Sequence, residues 1–112
     1  LAPGGRVRVG RSAVRARLGA AEAPTARRIA LPPGVRLGVR GSAPGDRIGL
    51  DGGGHALVRR VLAGARVPFE RRADVPLVFA DDRLVWIAGH RCARDALVLR
   101  GEPAVVLELE DA

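Results

Sequence analysis

The chain has 112 residues, of which 47% are hydrophobic, which is enough for one domain with a modest core and too much for a disordered segment. All 19 basic residues are arginine and the formal net charge is +7, with 15 Arg and 4 acidic residues in 1–72 against 4 Arg and 8 acidic residues in 73–112. A single cysteine, Cys92, excludes an internal disulfide, and no apolar run approaches the ~20 residues that span a bilayer.

Residues 6–18 are predicted to form a β-hairpin around Gly10, because apolar residues and arginines alternate along both halves. The alternation puts four arginines on one face of the paired strands, where like charges repel one another. A bound polyanion would relieve this repulsion, and a solvated outer face is the alternative. The four arginines are Arg6, Arg8, Arg15 and Arg17.

Two short strands are predicted next, over residues 28–31 and 35–40. They precede the segment Pro44–Arg47, in which Pro and Gly stand in the order that a type II turn requires. The aspartate of this turn, Asp46, can accept hydrogen bonds from neighbouring amides or pair with Arg40 or the adjacent arginine. The turn is therefore expected to be fixed by its own side chains.

A glycine loop at residues 51–54 leads into a helix predicted over residues 55–65. Apolar residues recur there at helical spacing and define one face, whereas Arg59 and Arg60 lie off that face. The loop is a candidate for holding a backbone phosphate at the helix N-terminus, and a plain flexible connector is the alternative. Gly64 indicates that the helix ends near that position.

A second short helix and a buried hairpin are predicted in the next part of the chain. Pro68 is suited to the first turn of a helix that continues through Arg72. Residues 77–87 then form a hairpin closed by the turn 80–83, and the nearly continuous apolar runs are typical of strands buried on both faces. Two further strands are predicted over residues 96–100 and 104–110.

These elements predict an α+β fold, with a small mixed or antiparallel sheet or sandwich of seven or eight short strands and two inserted helices. We interpret residues 1–112 as one domain. Its parts are an N-terminal basic hairpin region at 1–34, a core at 35–99 and an acidic C-terminal strand at 100–112. Because the first residue is Leu, we expect the chain to be a piece of a longer protein.

No group of residues forms a recognisable catalytic or metal-binding motif. His55, His90, Cys92 and Asp95 could supply metal ligands, but they lack the paired Cys and His spacing of structural zinc sites. The serines and the cysteine have no adjacent base in a known nucleophile motif. The glycine loop lacks the sequence of a nucleotide-binding loop, so we expect no cofactor in this chain.

The arginine-rich segments make a polyanion, above all nucleic acid, the expected partner. The use of arginine alone is typical of codon bias in a GC-rich genome, and it also fits a need for planar phosphate donors. Phe69, Phe79 and Trp86 lie in apolar settings and are interpreted as core. We therefore expect recognition of an RNA duplex by shape and phosphate contacts rather than stacking on single-stranded bases.

Four separated blocks within residues 36–98 carry a family resemblance. In order they are V-R-G-S-A-P-G-D-R-I, G-G-H-A-L-V-R-R-V-L, R-V-P-F-E-R-R-A-D-V-P-L-V-F and L-V-W-I-A-G-H-R. This order resembles the C-terminal domain of the tRNA(Ile)-lysidine synthetase family. Two positions depart from the family pattern: His55 stands where a Lys is usual, which weakens a phosphate contact there, and an aromatic is common near Leu62.

The resemblance implies an accessory domain of an ATP-dependent ligase, which adenylylates the wobble cytidine of an isoleucine tRNA and attaches lysine. The catalytic PP-loop domain and its ATP site would then lie elsewhere in the parent protein. The domain would be similar in fold to a module of the phenylalanyl-tRNA synthetase β subunit and would hold tRNA by its acceptor stem. The implied partners are tRNA and the catalytic domain of the same protein. A cytoplasmic location is expected from the single cysteine, and no membrane partner is expected.

Eight arginines are nominated for RNA contact, and the turn Pro44–Arg47 is expected to be structural and close to the RNA. The eight are Arg36, Arg40, Arg47, Arg59, Arg60, Arg66, Arg71 and Arg72. The alternative function is a structural or protein-interaction module that docks on a catalytic domain without touching RNA. One continuous strip of arginines would favour RNA, whereas arginines scattered over all faces would favour docking. The residues leave open whether the parent is an enzyme.

Overall fold

The computed structural model describes residues 1–111 and contains two four-stranded antiparallel sheets. The outer sheet consists of β1 (Arg6–Val9), β2 (Ser12–Ala20), β3 (Arg28–Leu31) and β10 (Pro103–Asp111), in the order β1-β2-β10-β3. The middle sheet consists of β4 (Leu37–Arg40), β7 (Leu77–Ala80), β8 (Arg83–Ile87) and β9 (Arg91–Cys92), in the order β4-β7-β8-β9.

A third layer, which we call the cap, comprises residues 47–74. It begins with a two-stranded hairpin of β5 (Arg47–Gly49) and β6 (His55–Leu57) and continues with α1 (Val58–Gly64) and the 3₁₀ helix α2 (Phe69–Asp74). A further 3₁₀ helix, α3 (Arg94–Ala96), follows β9.

The middle sheet is covered on both faces because its strands are apolar on both faces. One cluster joins it to the outer sheet, with Trp86 and Val78 packed among Val14, Leu31 and Leu107. The other cluster joins it to the cap; its buried members are Ile48, Val58, Leu62, Val75, Leu77, Leu84 and Ile87. Adjacent residues of β7 thus enter different clusters, as expected when successive side chains of a strand point to opposite faces.

The structure confirms the α+β class and the antiparallel sandwich, with ten strands in residues 1–111 where seven or eight were predicted. The N-terminal hairpin, the strand at residues 28–31 and the hairpin at 77–87 are also confirmed. The turn between β7 and β8 is closed by Asp81 and Asp82 with φ of 50° and 70°, the conformation of a two-residue hairpin turn.

Two predicted elements are wrong. The helix expected over 55–65 begins only at Val58, because residues 55–57 pair with residues 47–49 across the glycine loop. The glycine loop is therefore a hairpin loop and does not abut a helix N-terminus. Residues 96–100 form no strand, because the chain enters α3 and then only the amide of Val98 bonds to the edge of β3, at Ala30 O, 3.2 Å.

The cap touches the outer sheet at Gly10, in the turn between β1 and β2. Gly10 has φ of 56°, and a Cβ atom there would lie 2.9 Å from Asp74 Cα, which is backbone. The Asp74 carboxylate also accepts a hydrogen bond from the Arg11 amide at 3.0 Å. This turn therefore requires glycine for both its conformation and its space.

Replacing Gly10 by Ala is expected to lower the free energy of unfolding by about 2–4 kcal/mol, the sum of a left-handed backbone and a steric overlap. Gly34→Ala is the matched control, since Gly34 has φ of 88° with no atom within 4 Å. That control should lose only about 1–2 kcal/mol. Urea denaturation measures both, and equal losses would contradict the proposed contact with Asp74.

Candidate functional site

Three arginines of the outer sheet pair with carboxylates of β10, whereas Arg8 on β1 forms no ion pair within residues 1–111. β10 lies beside β2, which brings Glu110 to Arg6 Nε at 2.7 Å and to Arg15 Nε at 3.2 Å. Glu108 lies 3.1 Å from Arg17 Nε. The hydrogen bond from Arg6, followed by that from Arg15, lowers the pKa of Glu110. The acidic strand of the chain itself, and not a polyanion, therefore relieves most of the repulsion predicted for this hairpin.

The neighbouring arginines of the outer sheet are paired in the same way. Arg27 lies 2.9 Å from Asp111, and Arg28 lies 3.4 Å from Glu22. The basic first part and the acidic last part of the sequence are thus interleaved in space. Charge segregation along the sequence does not make this sheet a positive face.

Two of the eight nominated arginines, Arg36 and Arg40, are engaged by carboxylates. Arg36 Nη2 lies 2.6 Å from Asp82, with both side chains largely exposed. Arg40 makes two hydrogen bonds of 2.9 Å to the two oxygens of Asp46, and its guanidinium lies 4.6 Å from the centroid of the Phe79 ring. RNA contact by either residue would have to compete with these interactions.

Asp46 links β4, the turn and the cap. Its carboxylate accepts a hydrogen bond from the Ala43 amide at 2.7 Å, and its own amide closes the turn to Ala43 O at 3.2 Å. Gly45 has φ of 86°, which confirms the predicted type II geometry. The Asp46 carbonyl accepts the Val58 amide at 2.9 Å, so the first amide of α1 is already bonded. A phosphate therefore has no free amide to bind at that position.

The remaining nominated arginines lie in the cap. All but one are exposed and form no ion pair with any residue in 1–111; they are Arg47, Arg59, Arg60, Arg66 and Arg71. The exception, Arg72, is half-buried and donates from Nε to Val67 O at 3.2 Å. Residues 55–72 contain five arginines and one acid, Glu70. Six of the ten arginines that form no ion pair within residues 1–111 therefore lie in the cap; the other four are Arg8, Arg11, Arg91 and Arg100.

The helix α1 fixes the direction of two of these arginines. Val58 and Leu62 are buried against the middle sheet, at 2% and 1% exposure. Because Arg59 and Arg60 lie off this face of the helix, their side chains reach solvent. No acidic residue stands in the first turn of the helix to pair with them.

Arg66 has a strained backbone at the end of α1. Its amide bonds to Ala63 O and the Val67 amide to Leu62 O, both at 3.0 Å, which is the Schellman pattern. The residue at the left-handed position of this motif is usually Gly, yet here Arg66 has φ of 58°. The predicted end of the helix near Gly64 is confirmed, since Gly64 is its last residue.

The interpretation of Phe69 as a core residue is wrong, because its side chain is 81% exposed. Trp86 is buried, and Phe79 is half-buried beneath Arg40. Phe69 is the first residue of α2, a helix without buried residues. The run Phe69-Glu70-Arg71-Arg72 offered one signal of this, since it contains no second apolar residue to mark a buried face.

The candidate metal ligands do not converge. Residues 1–111 contain no group of three or more His, Cys, Asp or Glu placed to hold a metal ion. Asp95 instead pairs with Arg83 at 2.7 Å.

His90 and Cys92 line a cavity of about 460 Å³ beside Trp86. Burial raises the pKa of the Cys92 thiol, which disfavours the reactive thiolate, and local desolvation lowers the pKa of His90 although the residue stays exposed overall.

No helix within the described residues has the length and apolar character needed to cross a membrane.

Comparison with known proteins gives one consistent family. The family described as "TilS substrate C-terminal domain" matches residues 37–109. The tRNA(Ile)-lysidine synthase of Lactiplantibacillus plantarum is 54% identical over 48 residues, covering 42% of this chain and 11% of that protein. The tRNA(Ile)-lysidine synthase of Geobacter sulfurreducens is 36% identical over 70 residues, covering 62% of this chain and 15% of that protein. The chain thus spans a small part of the length of these relatives.

A solved structure titled "Crystal structure of TILS C-terminal domain" has the same fold. It superposes with a TM-score of 0.85 at 21% sequence identity, over 99% of this chain and 93% of that one. The likeness extends to the N-terminal region, where the family match at residues 37–109 does not reach.

Substituting Arg66 by Gly is expected to raise the free energy of unfolding by about 0.5–1 kcal/mol, because glycine adopts a positive φ without strain. Arg66→Ala removes the same charge while keeping the strain, so it should give no stabilisation. Thermal and urea unfolding of the two variants compare the effects. A stabilised alanine variant would mean that charge repulsion, not backbone strain, destabilises this position.

Asp46→Asn is expected to lower the free energy of unfolding at pH 7 by about 1 kcal/mol. The hydrogen bond from Arg40 lowers the pKa of Asp46, so its contribution is complete above the usual carboxyl pKa of about 3.9 and is lost as pH falls through the lower folded value. The difference from the unsubstituted chain should therefore shrink below about pH 4. Asp82→Asn, at an exposed pair with Arg36, should have little effect at either pH.

Proposed function

Because the chain belongs to the TilS substrate C-terminal domain family, we propose that it binds tRNA and presents it to a catalytic domain elsewhere in its parent protein. The parent would be an ATP-dependent tRNA(Ile)-lysidine synthetase acting in the cytoplasm. ATP and the chemistry of lysine attachment belong, in this proposal, to that other domain. The part played by this chain is to hold the acceptor stem while the wobble cytidine is modified.

The observation that carries the proposal is the contrast between the arginines of the cap and those of the outer sheet. Outer-sheet arginines such as Arg6, Arg15 and Arg17 already have carboxylate partners. Arg59 and Arg60 have none among residues 1–111, so a phosphate can replace their counterions without breaking an ion pair. Each phosphate that an arginine neutralises releases cations condensed on the nucleic acid, and this release supplies a large share of the binding free energy.

The cap arginines also come from several secondary-structure elements that are attached to one face of the middle sheet. Arg47 lies on β5, Arg59 and Arg60 on α1, and Arg71 on α2. β5 and α1 pack through Ile48, Val58 and Leu62 on the same face of the middle sheet, and α2 is held to this cluster by Val67 and Val75, which flank it. A set of guanidinium groups held on one layer suits a duplex, whose phosphates follow a fixed geometry.

The alternative, a module that docks on the catalytic domain without touching RNA, has a separate observation in its favour. Leu18 and Leu99 are 66% and 73% exposed, and both lie outside the cap. A docked catalytic domain would cover these leucines, although single exposed apolar side chains are common and do not by themselves define an interface. Docking through these residues is compatible with RNA binding through the cap, so the test must address the cap itself.

Replacing both Arg59 and Arg60 by Ala is expected to weaken binding to a tRNA acceptor-stem hairpin. The slope of log affinity against log salt should fall by about 2, because each of the two guanidinium groups would neutralise one phosphate. Filter binding across a salt series measures both quantities. Arg15→Ala with Arg17→Ala is the matched control, because it changes the net charge equally at residues that already pair with carboxylates.

The control should leave the salt slope nearly unchanged. Equal effects of the two double variants would indicate attraction by net charge without a defined site. Failure of the unsubstituted chain to bind the hairpin even at low salt would contradict direct tRNA binding and favour the docking alternative. Arg66→Gly gives a further safeguard: weaker binding by a variant that is more stable than the unsubstituted chain cannot result from unfolding.

A further inference from the structure

The exposed ring of Phe69 belongs to the arginine-rich part of the cap, in which Glu70 is the one acidic residue between positions 55 and 72. It follows Pro68 at the start of α2 and lies between Arg66 and Arg71, neither of which has an ion-pair partner within residues 1–111. A single exposed apolar side chain needs no explanation by itself. The contact of this ring with a fixed cation, in a segment where Arg66 and Arg71 have no ion pair within residues 1–111, does call for one.

That cation is Arg72, which makes a cation–π contact with the ring. Its guanidinium lies 5.7 Å from the centroid of Phe69, and its Nε is anchored to Val67 O at 3.2 Å. In a 3₁₀ helix, residues three apart lie above one another, so α2 places this pair on the same side. The ring thus contacts the guanidinium of Arg72, which is itself fixed by a hydrogen bond, while 81% of the Phe69 side chain stays exposed to solvent.

We propose that Phe69 stacks on an unpaired nucleobase of the RNA whose phosphates the cap arginines bind. An aromatic ring can stack on any base because every base has a π face, and flanking arginines add cation–π and phosphate contacts. Bases inside a duplex are covered by their neighbours, so only an unpaired base offers an open face. The ligand is therefore a nucleotide in a single-stranded extension next to a duplex.

Charge favours this ligand over an apolar protein surface. An apolar protein surface that covered Phe69 would also have to cover Arg72, whose guanidinium lies 5.7 Å from the ring and would lose hydration without gaining an anionic partner. RNA supplies phosphates for this cation and a base for the ring. The inference rests on the proposed RNA binding and adds an unpaired nucleotide to the duplex contacts.

The test compares two fluorescein-labelled RNA hairpins by anisotropy, one blunt and one with a short single-stranded 3′ extension. Phe69→Ala and Phe69→Leu are expected to weaken binding of the extended hairpin about 5- to 100-fold, the range for removal of one stacked base. Phe69→Trp should retain or increase affinity. Leu99→Ala, which truncates an apolar side chain of similar exposure outside the cap, should have no effect.

Two readouts separate stacking from other roles. Removing the stacked ring should leave the salt slope unchanged, since the arginines that bind phosphate remain, and it should affect the blunt hairpin far less than the extended one. Because Phe69 is exposed, the variants should unfold at the same temperature as the unsubstituted chain.

The proposal is overturned if Phe69→Ala binds the extended hairpin as well as the unsubstituted chain, if Phe69→Leu does so, or if both hairpins lose affinity equally. These outcomes leave the proposed function intact, provided that the unsubstituted chain binds RNA. Absence of all binding by the unsubstituted chain would instead remove the proposed function and this inference together.

Discussion

Insertion of the acidic strand β10 between β2 and β3 determines which surface of the molecule can attract a polyanion. Paired arginines on adjacent strands repel each other, and two glutamates and an aspartate on the intervening strand compensate them. Exposed ion pairs of this kind add little stability, but they do cancel charge locally. Most of the arginines left without an ion pair within residues 1–111 lie in the cap, on the far side of the middle sheet, and Arg8 is the exception on the outer sheet.

The position of the cap depends on one well-connected residue, Asp46. Its carboxylate receives two hydrogen bonds from Arg40 and one from Ala43, and its carbonyl receives the first amide of α1. The apolar cluster of Ile48, Val58 and Leu62 then holds the same segment against the middle sheet. The predicted type II turn is therefore structural, and its role in the proposed RNA site is to orient α1 and the arginines that the helix carries.

Local sequence patterns correctly predicted the strands and turns whose conformation depends only on residues that are adjacent in the chain. Alternation identified the strands around Gly10, and the Asp81-Asp82 pair identified a tight hairpin turn, because turn chemistry is set by a few adjacent residues. The predicted start of the helix was wrong because residues 55–57 form a strand paired with residues 47–49. The helical spacing of apolar residues gives no sign of this pairing. Residues 1–111 contain ten strands where seven or eight were expected for the same reason, because a segment as short as residues 47–49 becomes a strand only when another segment pairs with it.

The candidate site was predictable in its residues but not in its geometry. Eight arginines could be nominated from the sequence, yet whether each is free depends on carboxylates far away in the chain, such as Asp82 for Arg36. Phe69 was missed because its apolar setting in the sequence favoured a core position, whereas α2 has no buried residue and leaves the ring exposed.

The most direct measurement is a nuclear magnetic resonance titration of the chain with an acceptor-stem hairpin, following backbone amide and arginine Nε–H signals. The account predicts shifts or broadening in residues 47–74, with strongest effects at Arg59, Arg60 and Arg71, and nearly constant signals in β2 and β10. Changes centred on the outer sheet, or no changes at saturating RNA, would contradict the assignment of RNA binding to the cap.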